Sequence, residues 1–200
     1  MTHFPMRRLL FTLSLIPCLC MAQTSVLADF FSKAEQHTLE SAFSITIQDD
    51  ATQPMTYTGR LQMRGEQFIV SVMGIEAAYD GHTLYTYSED TEELTLSSPT
   101  LQELTEANPL LFAKALADNC RTTVKERTDS YVLTLVPNEK VTGVQSFTLT
   151  LGKPGLLPLG ATMKETLTRR TVLTFTNPRY NDEQPSFQLD KPGAYVNDLR

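Results

Sequence analysis

The chain has 200 residues, with 17 Lys and Arg against 23 Asp and Glu, for a formal net charge of −6 at pH 7. That balance excludes nucleic acid as an expected partner, because neutralising phosphates needs a basic surface. It also opposes adhesion to anionic membrane surfaces.

The first residues read as a secretory signal. Arg7 and Arg8 form a positive n-region, and Leu9 to Cys20 is an apolar run too short to span a bilayer. Cys20-Met21-Ala22 offers small residues where a signal peptidase reads, so cleavage is expected before Gln23. A membrane anchor and a lipid-modified Cys18 or Cys20 are the competing readings. Length argues against the first. Pro17 and Leu19, standing where a small residue is usual, argue against the second. Removing residues 1–22 leaves 200 − 22 = 178 residues, residues 23–200, which suits one domain. The net charge then moves from −6 to −8, since two arginines leave with the signal. Cys120 is the one cysteine left, so no internal disulfide is expected and stability must come from burial.

Apolar residues at Val26/Leu27, Phe30/Phe31, Ala34 and Leu39 recur at helical spacing, with Ser25 as a cap. The period then changes to two. Phe43, Ile45 and Ile47 alternate with polar neighbours, as do Tyr57, Gly59, Leu61 and Met63. Phe68, Val70 and Val72 continue beyond an Arg64-Gly65-Glu66 turn. Asp80-Gly81 marks a hairpin between segments 75–79 and 83–87, and Glu89-Asp90-Thr91 turns into segment 93–97. Such a meander implies an antiparallel sheet rather than a βαβ fold.

One helical excursion interrupts it. Thr100-Leu101-Gln102-Glu103 spells a capping box, and Asn108-Pro109 a second helix start. The apolar face of this excursion carries Leu101, Leu104, Leu110, Leu111, Phe112, Ala115 and Leu116. Strands are expected again at 121–127, 131–137, 144–151, 157–164 and 170–176, with a short apolar element at Phe187 to Leu189. The fold class expected is α+β, mainly antiparallel β: a half-barrel with helices at its open side, able to enclose a small cavity.

No constellation for chemistry emerges. His37 and His82 lie apart, and Cys120 has no neighbouring partner in a metal-ligand pattern. There is no phosphate loop, nucleophile elbow or zincin helix. The acidic run Glu89-Asp90 and Glu92-Glu93 lacks the alternation of a calcium loop and reads as a solvated hairpin tip. No enzyme activity, metal or cofactor is expected.

The stretch from Gly59 to Phe68 through Met63-Arg64-Gly65-Glu66, the run Tyr79-Asp80-Gly81-His82-Thr83-Leu84-Tyr85, and the closing Phe187-Gln188-Leu189 and Val196-Asn197-Asp198 resemble the periplasmic outer-membrane lipoprotein carrier family, LolA. The resemblance spans the whole mature chain through an ordered set of segments. It implies an unclosed barrel under a helical lid, acting as a monomeric periplasmic chaperone. Acylated lipoproteins would arrive from an inner-membrane lipoprotein-releasing transporter and pass to an outer-membrane acceptor. A lipid-binding sensor and a membrane-anchored acceptor of the same fold are the alternatives. On this reading Phe43, Ile45, Leu61, Met63, Phe68, Val70, Leu133, Phe147, Leu149 and Met163 line the acyl cavity. Leu101, Leu104, Leu110, Leu111 and Phe112 form the lid, and Arg64 is its latch, with an ordinary exposed turn arginine as the alternative, since glycine follows Arg64 where the family commonly has proline. Met63, Met73 and Met163 supply pliable surface. Each of these apolar residues has the alternative role of filling a core.

Overall fold

A computed structural model describes residues 25–49, 52–138, 143–165 and 168–200. The expected signal segment, residues 1–22, lies outside the described residues. Among the described residues, three helices, α1 (Ser25–Gln36), α2 (Leu101–Ala107) and α3 (Pro109–Ala117), accompany twelve strands. These are β1 (Thr38–Asp49), β2 (Thr52–Arg64), β3 (Gln67–Val72), β4 (Ile75–Tyr79), β5 (Leu84–Ser88), β6 (Glu93–Ser97), β7 (Cys120–Glu126), β8 (Ser130–Pro137), β9 (Ser146–Gly152), β10 (Leu157–Lys164), β11 (Arg169–Asn181) and β12 (Tyr195–Asp198).

All twelve belong to one sheet, in the order β12-β6-β5-β4-β3-β2-β1-β11-β10-β9-β8-β7. Its ends, β12 and β7, do not pair with each other, so the sheet is an unclosed barrel. Hairpin-linked neighbours are antiparallel. The exception is β12, which runs parallel to β6 from Tyr195–Glu93 to Asp198–Leu96. The sheet is thus mainly, and not wholly, antiparallel.

The first helix is shorter than its apolar spacing suggests. It ends at Gln36, and Leu39 belongs to β1, fully buried and paired with Tyr180 and Met63. Leu39 satisfies both periods, and the β1–β11 ladder decides between them. β11 is longer than expected and passes through Asn177-Pro178. The β1 register slips there between Glu40 and Ala42. Asn177 takes a positive φ of 52°, so a bulge absorbs the proline that a regular ladder would reject.

Two glycines are required by geometry. Gly65 sits at φ 61° in the β2–β3 turn, and its amide donates to the Ala34 carbonyl at the end of α1 (2.8 Å). At Gly59, a Cβ would come within 2.5 Å of the Phe43 ring and of the Ser71 carbonyl oxygen. Only a bare backbone lets Phe43 lie across β2.

The main core lies on the face that carries the helices. There Phe30, Phe31 and Leu27 of α1 pack with Leu39, Met63, Phe68, Leu110, Leu133, Leu149 and Phe147. A smaller core lies on the other face of β3–β6, where Ala78, Tyr85 and Leu94 are covered by Leu189 and Ala194. The expected apolar element near Phe187 is no strand. It is a docked coil, with Phe187 buried and the Gln188 amide donating to Asp80 Oδ2 (3.1 Å). Asp80 also accepts from the His82 and Thr83 amides (2.9 and 2.8 Å) and the Tyr85 hydroxyl (3.1 Å). Burial alone would push its carboxyl up, but these four bonds outweigh it and hold the carboxyl below its ordinary value.

Candidate functional site: an apolar cavity under α2 and α3

Alternation along each strand becomes rows across the sheet. One row runs Leu135, Phe147, Met163, Thr171, Ile47, Met55 from β8 to β2. The next runs Leu133, Leu149, Ala161, Leu173, Ile45, Tyr57. Helices cover these rows unevenly. α1 lies over β1 and β2, and α3 over β7 and β8, leaving the stretch between them partly open.

That opening is a half-enclosed cavity of about 680 Å³. Its floor is Ile45, Ile47, Phe147, Met163 and Leu173. Its roof is Leu101, Pro109, Phe112, Ala115 and Leu116 of α2 and α3. Phe112 meets Phe147 edge-on, with ring centroids 5.5 Å apart, and walls one side. Gln102, Thr105, Glu106, Asn119, Glu165 and Thr171 add the polar part of the lining.

The roof is built as the sequence implies. Thr100 caps α2 reciprocally: its hydroxyl accepts from the Glu103 amide (3.3 Å), and its own amide donates to Glu103 Oε2 (2.6 Å). Asn108 then starts α3, its Oδ1 accepting from the Leu110 amide (3.0 Å). Asn108 is fully buried, yet its Nδ2 has no partner among the described residues. A side-chain ion pair holds α3 to the neighbouring elements. Lys114 Nζ stands 3.0 Å from Glu66 in the β2–β3 turn, 3.9 Å from Glu35 of α1, and 5.8 Å from the centre of the Phe31 ring.

Of the residues assigned to the cavity wall from the sequence, Ile45, Phe147 and Met163 border the opening. Phe43, Leu61, Met63, Phe68, Val70, Leu133 and Leu149 do not. They are packed beneath α1 and α3 in the main core. Among the lid residues, Leu101 and Phe112 face the cavity, while Leu104, Leu110 and Leu111 are buried anchors of the roof. Ile47 and Leu116, noted above for their periodicity but not assigned to the cavity, line the opening together with Thr171 and Leu173. Their alternation was readable, but which end of each strand the helices leave bare was not. Arg64 ends β2 next to the turn that Lys114 grips, and its Nη1 is buried without a partner among the described residues. Met73 is not in the cavity. It occupies the β3–β4 turn at φ 57°, 60% exposed.

Among the described residues, no group of three His, Cys, Asp or Glu is placed to hold a metal ion. No described helix is long and apolar enough to cross a membrane.

The family described as outer membrane lipoprotein carrier protein LolA matches residues 73–188, more than half of the chain. The chain belongs to the LolA family. No curated protein matches it. Among solved structures, it is similar to a conserved protein of Thermus thermophilus, with a TM-score of 0.58 at 12% identity, covering 87% of this chain and 98% of that one. It is also similar to the LolA superfamily protein NE2245 of Nitrosomonas europaea, at 12% identity and TM-score 0.44, covering 82% and 97%. A third similar structure is the MucA/MucB complex of Pseudomonas aeruginosa, at 14% identity and TM-score 0.45, covering 84% of this chain and 61% of that one. LolA-family membership and the unclosed sheet agree with each other, and the family is one of binding and carrier proteins.

Proposed function

We propose that this protein is a periplasmic carrier that shields the acyl chains of lipoproteins in the cavity under α2 and α3. Residues 1–22 would direct export and then be removed. Cargo would come from an inner-membrane releasing transporter and leave to an outer-membrane acceptor. The observation that supports this most is the apolar cavity itself, floored by Ile47, Phe147, Met163 and Leu173 and roofed by two short helices, in a LolA-family chain. Burying acyl chain gives roughly 0.8 kcal/mol per methylene, so a sixteen-carbon chain gains on the order of 12 kcal/mol gross. A roof whose apolar face can itself cover the floor competes with such a ligand, which suits release without a strong driving reaction. Arg64, two positions before Glu66 in the chain and with a buried Nη1 that has no partner among the described residues, is the further group available to bond the lid as it moves.

The test is purification of residues 23–200 from a periplasm under gentle conditions, followed by native mass spectrometry and lipid extraction. Acylated protein bound at near-equal stoichiometry is the expected result. An empty protein that also refuses acylated peptides would leave an interaction module without a lipid role.

A further inference from the structure

The sheet has a step beside the cavity. β2 runs from Thr52 to Arg64, but β3 accompanies it only over Gly59 to Arg64 and leaves it after Val72. Met73 and Gly74 turn the chain away there, at φ 57° and 72°. Beyond the step Thr52–Thr58 pairs with β1, and no other described strand covers its outer edge. Apart from half-buried Tyr57, these residues are exposed. A groove of about 570 Å³ opens at the step, lined in part by Thr58, Gly59, Val72, Met73 and Gly74. The step also continues the cavity floor. Ile45 and Ile47 of that floor stand opposite Tyr57 and Met55, one strand spacing of about 4.8 Å away. Met55 is 49% exposed, and the Tyr57 hydroxyl donates to its sulfur (3.5 Å). Met73 and Ile75 add exposed apolar side chains at the β3–β4 turn. The first helix leaves this end bare, because it docks at the opposite end of β2 through the Gly65–Ala34 bond. The register slips between Ile47 and Asp49, beside Pro54, which has no N–H to give. A regular bare edge therefore remains at Met55–Thr58, and the bulge and proline stop longer pairing. The sheet's terminal edges are less suited. That of β7 carries exposed Arg121 and Lys125, charges of the kind that blunt an edge, and β12 lies at the far end of the sheet.

We infer that Met55–Thr58 is the docking edge for the polypeptide of acylated cargo, an inference that rests on the carrier reading. α3 closes the β7–β8 side of the cavity, so a cargo whose lipid lies on the floor leaves it across β1 and meets this edge. In extended form the residues after the lipid-bearing one add to β2 in the place that β3 vacates. Main-chain hydrogen bonds make the contact. Recognition is then blind to side-chain sequence, which suits a carrier of many proteins that share one kind of anchor. Four residues offer two or three such bonds, a grip that supplements the acyl chain without preventing release.

The experiment uses the delipidated mature chain, residues 23–200, with three probes: palmitoyl-lysophosphatidylcholine, an N-palmitoyl hexapeptide of alternating serine and threonine, and the same peptide with its backbone amides N-methylated. Titration gives the dissociation constants, and amide exchange follows Thr52–Thr58. The palmitoyl peptide should bind about tenfold more tightly than its N-methylated form, which cannot donate to a strand edge. It should also slow exchange within Met55–Thr58, which the lysolipid should leave unchanged. Met73→Asn, a residue that tolerates the positive φ, should weaken the palmitoyl peptide about threefold and leave lysolipid binding as it is. Because the comparison of the two peptides needs no variant, the test survives a variant that fails to fold. Equal affinity of the two peptides, or a bound palmitoyl peptide with Thr52–Thr58 exchanging freely, would overturn the inference and leave the carrier reading standing. Failure of all three probes to bind would overturn both.

Discussion

Asn108→Ser makes a pointed test of the roof, because it separates two roles of one buried side chain. Asn108 Oδ1 caps α3 through the Leu110 amide, while its Nδ2 is buried without a partner. Serine is as good an N-cap as asparagine, so the first role survives. An unpaired buried amide costs about 1–3 kcal/mol, and serine replaces it with a single hydroxyl hydrogen that can rotate to a nearby acceptor. The lost amide leaves a small void, which at ~24 cal/mol per Å³ costs under about 1 kcal/mol. The balance is a roof more stable by about 1 kcal/mol, or roughly a fivefold smaller open population. Urea unfolding followed by circular dichroism should show a higher midpoint at unchanged slope. Amide exchange across Leu101–Ala117 should slow by a similar factor, and uptake of a fluorescent lysolipid with it. A lower midpoint or faster exchange in the serine variant would refute the reasoning, since it would mean that Nδ2 makes a bond that matters.

Lys114→Ala removes the 3.0 Å contact to Glu66, and because the lysine side chain is 39% exposed the loss should stay within about 1 kcal/mol. Exchange in α3 should quicken, and 1 M salt should quicken it in the parent protein but not in the variant. Phe68→Asp should unfold the protein, since Phe68 is fully buried and a lone core carboxylate costs several kcal/mol. Met163→Lys should keep the fold, read by circular dichroism, and lose lysolipid binding, because Met163 borders the opening. For Asp80, the carboxyl is held below its ordinary value of 3.8 when folded. Its contribution is therefore complete above that value and is lost as pH falls through the lower folded one. Acid titration should loosen the Phe187–Gln188 coil, seen in the tyrosine near-ultraviolet signal, and Asp80→Asn should remove that pH dependence.

Much of the architecture was legible where local chemistry speaks. The capping box at Thr100 and the Asn108-Pro109 start fixed both roof helices to within a residue, and Asp80-Gly81 located a hairpin. The alternation of Ile45, Phe147 and Met163 marks them as inward-facing, and all three border the opening. It named Leu61, Met63, Phe68 and Leu133 by the same signal, because alternation reports a buried face and not what lies on it. Phe30, Phe31, Leu110 and Leu111 decide which inward residues are covered, and that depends on where α2 and α3 land after the six strands that separate them from α1. Leu39 was misplaced for a related reason: its spacing fits α1, while its ladder with Tyr180 spans the chain. The latching lysine gave no signal at all, since Lys114 meets Glu66 and Glu35 only in three dimensions.

The parallel pairing of β12 with β6 has a consequence for how the molecule is assembled. Tyr195 sits beside Glu93, 195 − 93 = 102 positions earlier. If the chain is threaded through a membrane from its amino end, β6 emerges long before its neighbour. Its open edge is then a ready template for association between nascent copies, until Tyr195–Asp198 arrive to cover it. Quality of the finished product therefore hangs on the final segment. A purification handle fused after Arg200 would crowd the strand that seals the edge, whereas one placed before Ser25 would leave it free.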